Sequence, residues 1–160
     1  MLTTIFARRA AAAVFGLSLA CGAAPLAASA DVPGPHPAYV HALHDLRYAR
    51  FLVARPSYGN VDRFEGAAVR EIDRSLFAVR QAAIDDGKDI YALEPTDVNL
   101  DQHERLRRAI ELLRGARHDI TDNVESDPAA IGWRNGAYRH IDAAIYDVRG
   151  ALRTLFADQY

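Results

Sequence analysis

Cysteine is almost missing from the chain: the single copy, Cys21, falls in the first thirty residues, as does the single methionine, Met1. Residues 31–160 therefore have no thiol. That excludes disulfide staples, thiolate metal sites and haem attachment through Cys-x-x-Cys-His. Lysine is nearly absent too, 1 residue against 18 arginines, a bias that high genomic GC content produces without any function. An excess of positive charge is also lacking: beyond residue 30 there are 17 basic and 21 acidic residues, a formal charge of −4. With no basic stripe, nucleic acid is not the expected partner. No apolar run after Ala20 approaches membrane length, so no membrane span is expected in the mature chain.

Several catalytic signatures are absent as well. There is no glycine-rich phosphate loop, no serine in a nucleophile elbow and no Glu-x-x-His pair of the kind that di-iron bundles use.

What is present begins with Arg8 and Arg9, an apolar stretch from Ala10 to Ala20, and Ala28-Ser29-Ala30. A short basic region, an apolar core too short to span a bilayer and an A-x-A site make residues 1–30 a signal peptide, with cleavage expected after Ala30. The expected location is periplasmic or secreted. Ser18-Leu19-Ala20 before Cys21 lacks the large aliphatic residue of a lipobox, and Arg8-Arg9 lacks the flanking pattern of twin-arginine export.

Residues 31–160 are enough for one domain with a real core. Four helices are expected, at about 37–55, 62–86, 101–125 and 128–157. In the first, Val40, Leu43, Leu46, Ala49 and Val53 recur at three- and four-residue intervals, with Pro37 in the first turn and Pro56 beyond the end. Asp62 to Glu65 has capping-box spacing and opens the second, whose seam is Val69, Ile72, Leu76, Val79 and Ala83. Asp101 to Glu104 repeats that spacing before Leu106, Ala109, Leu113, Ala116 and Ile120. Asp127-Pro128 reads as an N-cap and N1 proline, followed by Tyr138, Ile141, Ile145, Val148, Leu152 and Leu155.

The chain also repeats itself. Ala137 to Ala151 lies over Ala68 to Ala82 at an offset of 69, and Leu113-Arg-Gly-Ala-Arg117 lies over Leu46-Arg-Tyr-Ala-Arg50 at an offset of 67. The expectation is an all-α, up-down-up-down four-helix bundle built from a duplicated helical hairpin. One flank of the repeated helix is small in both copies, Ala68, Ser75 and Ala82 against Ala137, Ala144 and Ala151, so a neighbouring helix can come close. The other flank carries Asp73 and Asp142, within expected reach of Arg47, Arg50, Arg114 and Arg117. Structural ion pairs that hold register are the expected result.

The run Pro37-Ala-Tyr-Val-His-Ala-Leu-His-Asp-Leu-Arg-Tyr-Ala-Arg50, with Glu71-Ile-Asp73 and Ile84-Asp-Asp-Gly-Lys88, resembles a group of small exported bacterial proteins. Their phrases are of the type HPxYLHALxDLRxAR, EIDxAI and IDDGK. The resemblance spans nearly the whole mature length and implies no activity. His44 stands where those phrases have serine, which counts against an essential ligand role for it.

Three kinds of chemistry remain. His41 and His44, with His140 from another helix, have a spacing that suits zinc, copper or haem, and His36 and His103 lie within the same reasoning. Asp85, Asp86 and Asp89, and again Asp119, Asp122, Glu125 and Asp127, invite calcium but lack the EF-hand alternation. Phe77, Tyr146 and Trp133 are expected outside the seams, where with Tyr48 and Phe51 they could form a contact surface. The reading that follows is a non-catalytic exported bundle that binds another protein or is related to envelope stress, with no cofactor. The alternatives are a metal- or haem-binding bundle and, behind it, an enzyme whose end-of-bundle pocket is lined by Asp73, Asp142 and the arginines.

Overall fold

The computed structural model describes residues 38–58, 60–85, 99–121 and 125–157, and among them the backbone forms four helices and no strand. These are α1 (Tyr39–Val53), α2 (Asp62–Asp85), α3 (Gln102–Asp119) and α4 (Pro128–Ala157). The fold class is all-α. The signal segment, Pro37 and the Asp86–Lys88 phrase lie outside the described residues.

Local chemistry explains most of the helix ends. Asp101 caps α3 by accepting from the Glu104 N–H (2.8 Å), while the Glu104 carboxylate accepts from the Asp101 N–H (3.2 Å), a complete capping box. Asp127 Oδ1 accepts from the Ala129 and Ala130 N–H groups (2.7 and 3.1 Å) and so caps α4 ahead of Pro128. At α2 the expected capping box does not form. The Glu65 N–H donates to the Val61 carbonyl (3.0 Å), and the Glu65 side chain turns inward to accept from Ser57 Oγ (2.5 Å). Helix α1 stops at Val53, short of Arg55, and α3 stops at Asp119, short of residue 125. Beyond the end of α3, Glu125 ties the chain to α1 and to the start of α4. Its Oε2 accepts from the Tyr39 hydroxyl (2.8 Å) and its Oε1 from the N–H groups of Ser126 and Asp127 (2.9 and 3.0 Å).

The two hairpins are antiparallel: Arg50 pairs with Asp73 between α1 and α2, and Arg117 with Asp142 between α3 and α4. Helix α1 also runs antiparallel to α3, because the Ala38 N–H donates to the Asp119 carbonyl (3.1 Å) at one end and Arg105 to the Leu52 carbonyl (2.6 Å) at the other. Helices α2 and α4 are antiparallel as well. Phe77 meets Trp133, Glu71 meets His140, and Phe64 lies against Gly150. The main contacts therefore close a ring in the order α1, α2, α4, α3.

This corrects the up-down-up-down expectation. The directions are up, down, down, up, the pattern of bundles with one long crossover. Gln102 opens α3 beside Tyr58, near the start of α2, so the link from Asp85 to Gln102 joins opposite ends of the bundle. The physical reason lies in the small flank. Ala68, Ser75 and Ala82 on α2 and Ala130, Ala137, Ala144 and Ala151 on α4 are all fully buried. Residues of this size let two helix backbones approach closely, so α2 and α4 become neighbours in place of a diagonal pair. The seam residues Val69 and Leu76 are less buried than this flank. Leu43, Leu46, Leu52, Ile72, Val79, Leu106, Leu113, Ile141 and Val148 fill the middle of the ring.

Candidate functional site

The exposed aromatic residues lie mainly on the outside of α2 and α4. Phe77 is 57% exposed and meets Trp133, 38% exposed, edge to face with ring centroids 5.7 Å apart. Tyr146 is 65% exposed and carries the Arg153 guanidinium 5.9 Å from its ring centre. Because the helices are antiparallel, Phe77 and Tyr146 lie towards opposite ends of the pair and do not merge into one patch. Tyr48 and Phe51 belong to α1 and contact each other, with centroids 6.5 Å apart. They pack against the core and do not join the Phe77–Trp133 pair.

The arginine and aspartate residues divide cleanly. Arg50 Nε and a second guanidinium nitrogen donate to the two Asp73 oxygens (2.5 and 3.3 Å), and Arg117 does the same to Asp142 (2.8 and 3.5 Å). Hydrogen bonding to Asp73 raises the Arg50 pKa above its ordinary value. All four side chains are roughly half exposed, so each fork spans its hairpin at the surface. Arg114 is exposed and Arg47 is half-buried.

The histidines do not converge. His41 and His44 are on α1, where His44 Nδ1 lies 3.4 Å from its sequence neighbour Asp45. His140 is on α4 and pairs with Glu71 of α2, Nδ1 to Oε2, at 2.7 Å. His103 is on α3 against Phe156, with ring centroids 4.9 Å apart. Helices α1 and α4 are diagonal in the ring, which separates the residues that the sequence spacing suggests as one ligand set. Among the described residues no three His, Cys, Asp or Glu side chains gather in a way that could hold a metal ion. Of the calcium candidates, Glu125 is committed to Tyr39 and two backbone N–H groups, and Asp127 to the α4 cap. Asp86, Asp89 and Asp122 lie outside the described residues.

A polar cluster that periodicity alone does not announce lies where α1 turns into α2. Arg105, 5% exposed, reaches from α3 and donates to the carbonyls of Leu52 (2.6 Å), Arg55 (3.4 Å) and Pro56 (3.3 Å) and to Ser57 Oγ (3.2 Å). It thereby satisfies carbonyls that the end of α1 leaves open. Ser57 relays to Glu65, itself 6% exposed. Burial raises the Glu65 pKa, opposed by the Ser57 hydrogen bond and the Arg105 charge, and burial lowers that of Arg105. The sequence did hold a signal. Arg105 sits in the row Ala109, Leu112, Ala116, and Glu65 in the row Ala68, Ile72, Ser75, so both are charges in otherwise buried helical stripes.

Two further carboxyls are shifted. Burial raises the Asp45 pKa, and burial followed by the nearby Glu71 charge raises that of Asp147. Asp45 is wedged against the backbone of Gly115, where an added Cβ would lie 2.5 Å from Oδ2.

No helix among the described residues is long and apolar enough to cross a membrane. No family model, no curated protein and no solved structure matches the chain.

Proposed function

We propose that this chain is an exported, non-catalytic helical bundle that works by binding another protein through the Phe77–Trp133 face of α2 and α4. One observation carries the reading: a phenylalanine and a tryptophan stacked edge to face with 57% and 38% of their surface open to solvent. Exposed aromatic pairs cost hydration free energy in an isolated protein, and buried aromatic anchors dominate the energetics of protein contacts. The bundle is a rigid frame for such a surface, with Arg–Asp pairs holding the register of each hairpin.

Export rests on the basic, apolar and A-x-A succession of residues 1–30, and the location proposed is the periplasm or the medium. The bundle is further read as a duplicated hairpin. Two features support this: the matching segments at offsets of 67 and 69, and the identical Arg–Asp forks at equivalent positions. The resemblance to small exported bacterial proteins agrees with export.

The test is site-specific photo-cross-linking in cells. A photoreactive phenylalanine analogue at position 77 or 133 should give a discrete heteromeric adduct, and one at Arg107, exposed on α3, should not. Adducts from all three positions alike, or from none, would remove the proposed surface. Recovery of a mature N-terminus at Asp31 from the envelope fraction checks export separately.

A further inference from the structure

Beside the polar cluster, a cleft of about 340 Å³ opens between the end of α1 and the first turns of α2. Its lining combines Val53, Pro56 and Val69 with Arg55, Ser57, Asp62 and Glu65. A volume of this size suits one small ligand.

The acceptors are unevenly used. One Glu65 oxygen, Oε1, accepts from Ser57 Oγ (2.5 Å), and the other accepts from no group among the described residues although Glu65 is only 6% exposed. Asp62, exposed at the start of α2, makes no side-chain hydrogen bond or ion pair among the described residues. The Arg55 guanidinium, whose residue also borders the cleft, lies over the Phe51 ring, 5.7 Å from its centre. Arg105, the other nearby cation, donates to the backbone carbonyls of Leu52, Arg55 and Pro56 and to Ser57 Oγ, so its charge acts on Glu65 without a direct hydrogen bond to it. The cleft therefore offers one Glu65 oxygen that accepts from no described group, with apolar side chains beside it and a second carboxylate, Asp62, in its lining. Gly66 also lines the cleft, and a Cβ added there would meet only the tip of Arg70, at 3.7 Å. Packing does not require a glycine at this helical position, where alanine is favoured by up to ~1 kcal/mol.

We infer that this cleft is a binding site for an alkylammonium group, the ammonium on the open oxygen of Glu65 and the hydrocarbon stem between Val53, Pro56 and Val69. A guanidinium fits less well, because its fork seeks both oxygens of a carboxylate and Ser57 occupies one. A metal ion fits less well still, since hard cations need several oxygen ligands and only two carboxylates line the cleft. The site is separate from the Phe77–Trp133 face and stands or falls independently of it.

The test uses protein purified after expression of the full chain, titrated with n-butylammonium, with n-butanol as the neutral isostere, and followed by NMR shifts of the Val53 and Val69 methyl groups. Saturable shifts with n-butylammonium and none with n-butanol are expected. Glu65→Gln should weaken the binding about tenfold or more, the size of one charge-assisted hydrogen bond. Gly66→Leu should abolish it while the thermal melt stays cooperative. Nα-acetyl-lysine methylamide binding at least as tightly as n-butylammonium assigns the site to a lysine side chain of a partner, and weaker binding assigns it to a free amine. Shifts equal for amine and alcohol, shifts unchanged in both variants, or no saturation would overturn the inference.

Discussion

Glu71 and His140, 69 residues apart in the chain, bond to each other across α2 and α4, Oε2 to Nδ1 at 2.7 Å. Under the proposed duplication of the hairpin this is the contact expected at a pseudo-twofold axis between the two helices. Such an axis would carry the Arg50–Asp73 fork onto the Arg117–Asp142 fork, and Phe77 and Trp133 onto Tyr146 and Phe64. The contacts there differ: Phe64 is packed over Gly150, and Tyr146 takes Arg153 instead of an aromatic partner. The Phe77–Trp133 pair is thus confined to one end of the α2–α4 pair.

The two Arg–Asp forks are exposed, and exposed pairs are worth roughly 0.2–1 kcal/mol each. Double-mutant cycles with Arg50→Gln and Asp73→Asn, and with Arg117→Gln and Asp142→Asn, should each return a coupling within that range by urea unfolding. The two cycles should add, since the pairs share no partner. A coupling above about 2 kcal/mol would mean a role beyond hairpin register.

Glycine substitutions in α4 should divide by what a Cβ meets. At Gly132 nothing lies within 4 Å, so Gly132→Ala should stabilise by up to ~1 kcal/mol through helix propensity alone. At Gly150 the added atom would lie 2.6 Å from the Phe64 ring, and Gly150→Ala should destabilise by roughly 1–3 kcal/mol from overpacking. Denaturant midpoints of the two variants should move in opposite directions.

The pH dependence of stability should carry the mark of Glu65. Its folded pKa is raised above the ordinary 4.5, so the folded state favours the protonated form. The associated stability is fully present below pH 4.5 and is lost as the pH rises through the folded value. Glu65→Gln should therefore melt higher than the wild type at pH 7, with the difference shrinking towards pH 4.5. A difference that grows on acidification would contradict the assignment.

Tyr39→Phe removes the hydroxyl that donates to Glu125, a residue only 6% exposed. Taking one partner from a buried carboxylate costs more than the bond itself contributes, roughly 1–3 kcal/mol. The loss should appear in the melt at neutral pH and be partly recovered by combining it with Glu125→Gln.

Much was written in the local sequence. The caps at Asp101 and Asp127, the apolar rows and the small flank each depend on residues within a turn or two of one another, so spacing along the chain is enough to specify them. The Arg50–Asp73 and Arg117–Asp142 forks were also legible, because a short hairpin brings its own two helices together. Tertiary structure alone decided the rest. A helical period says which side of a helix is apolar, and it does not say which helix will cover that side. The closeness permitted by Ala68, Ser75, Ala82 and the alanines of α4 made α2 and α4 neighbours and set the order of the ring. That order parted His41 and His44 from His140 and gave His140 to Glu71. It also set Arg105 on the carbonyls at the end of α1 and beside the buried Glu65, since a charge survives in a core only through partners that lie far away along the chain.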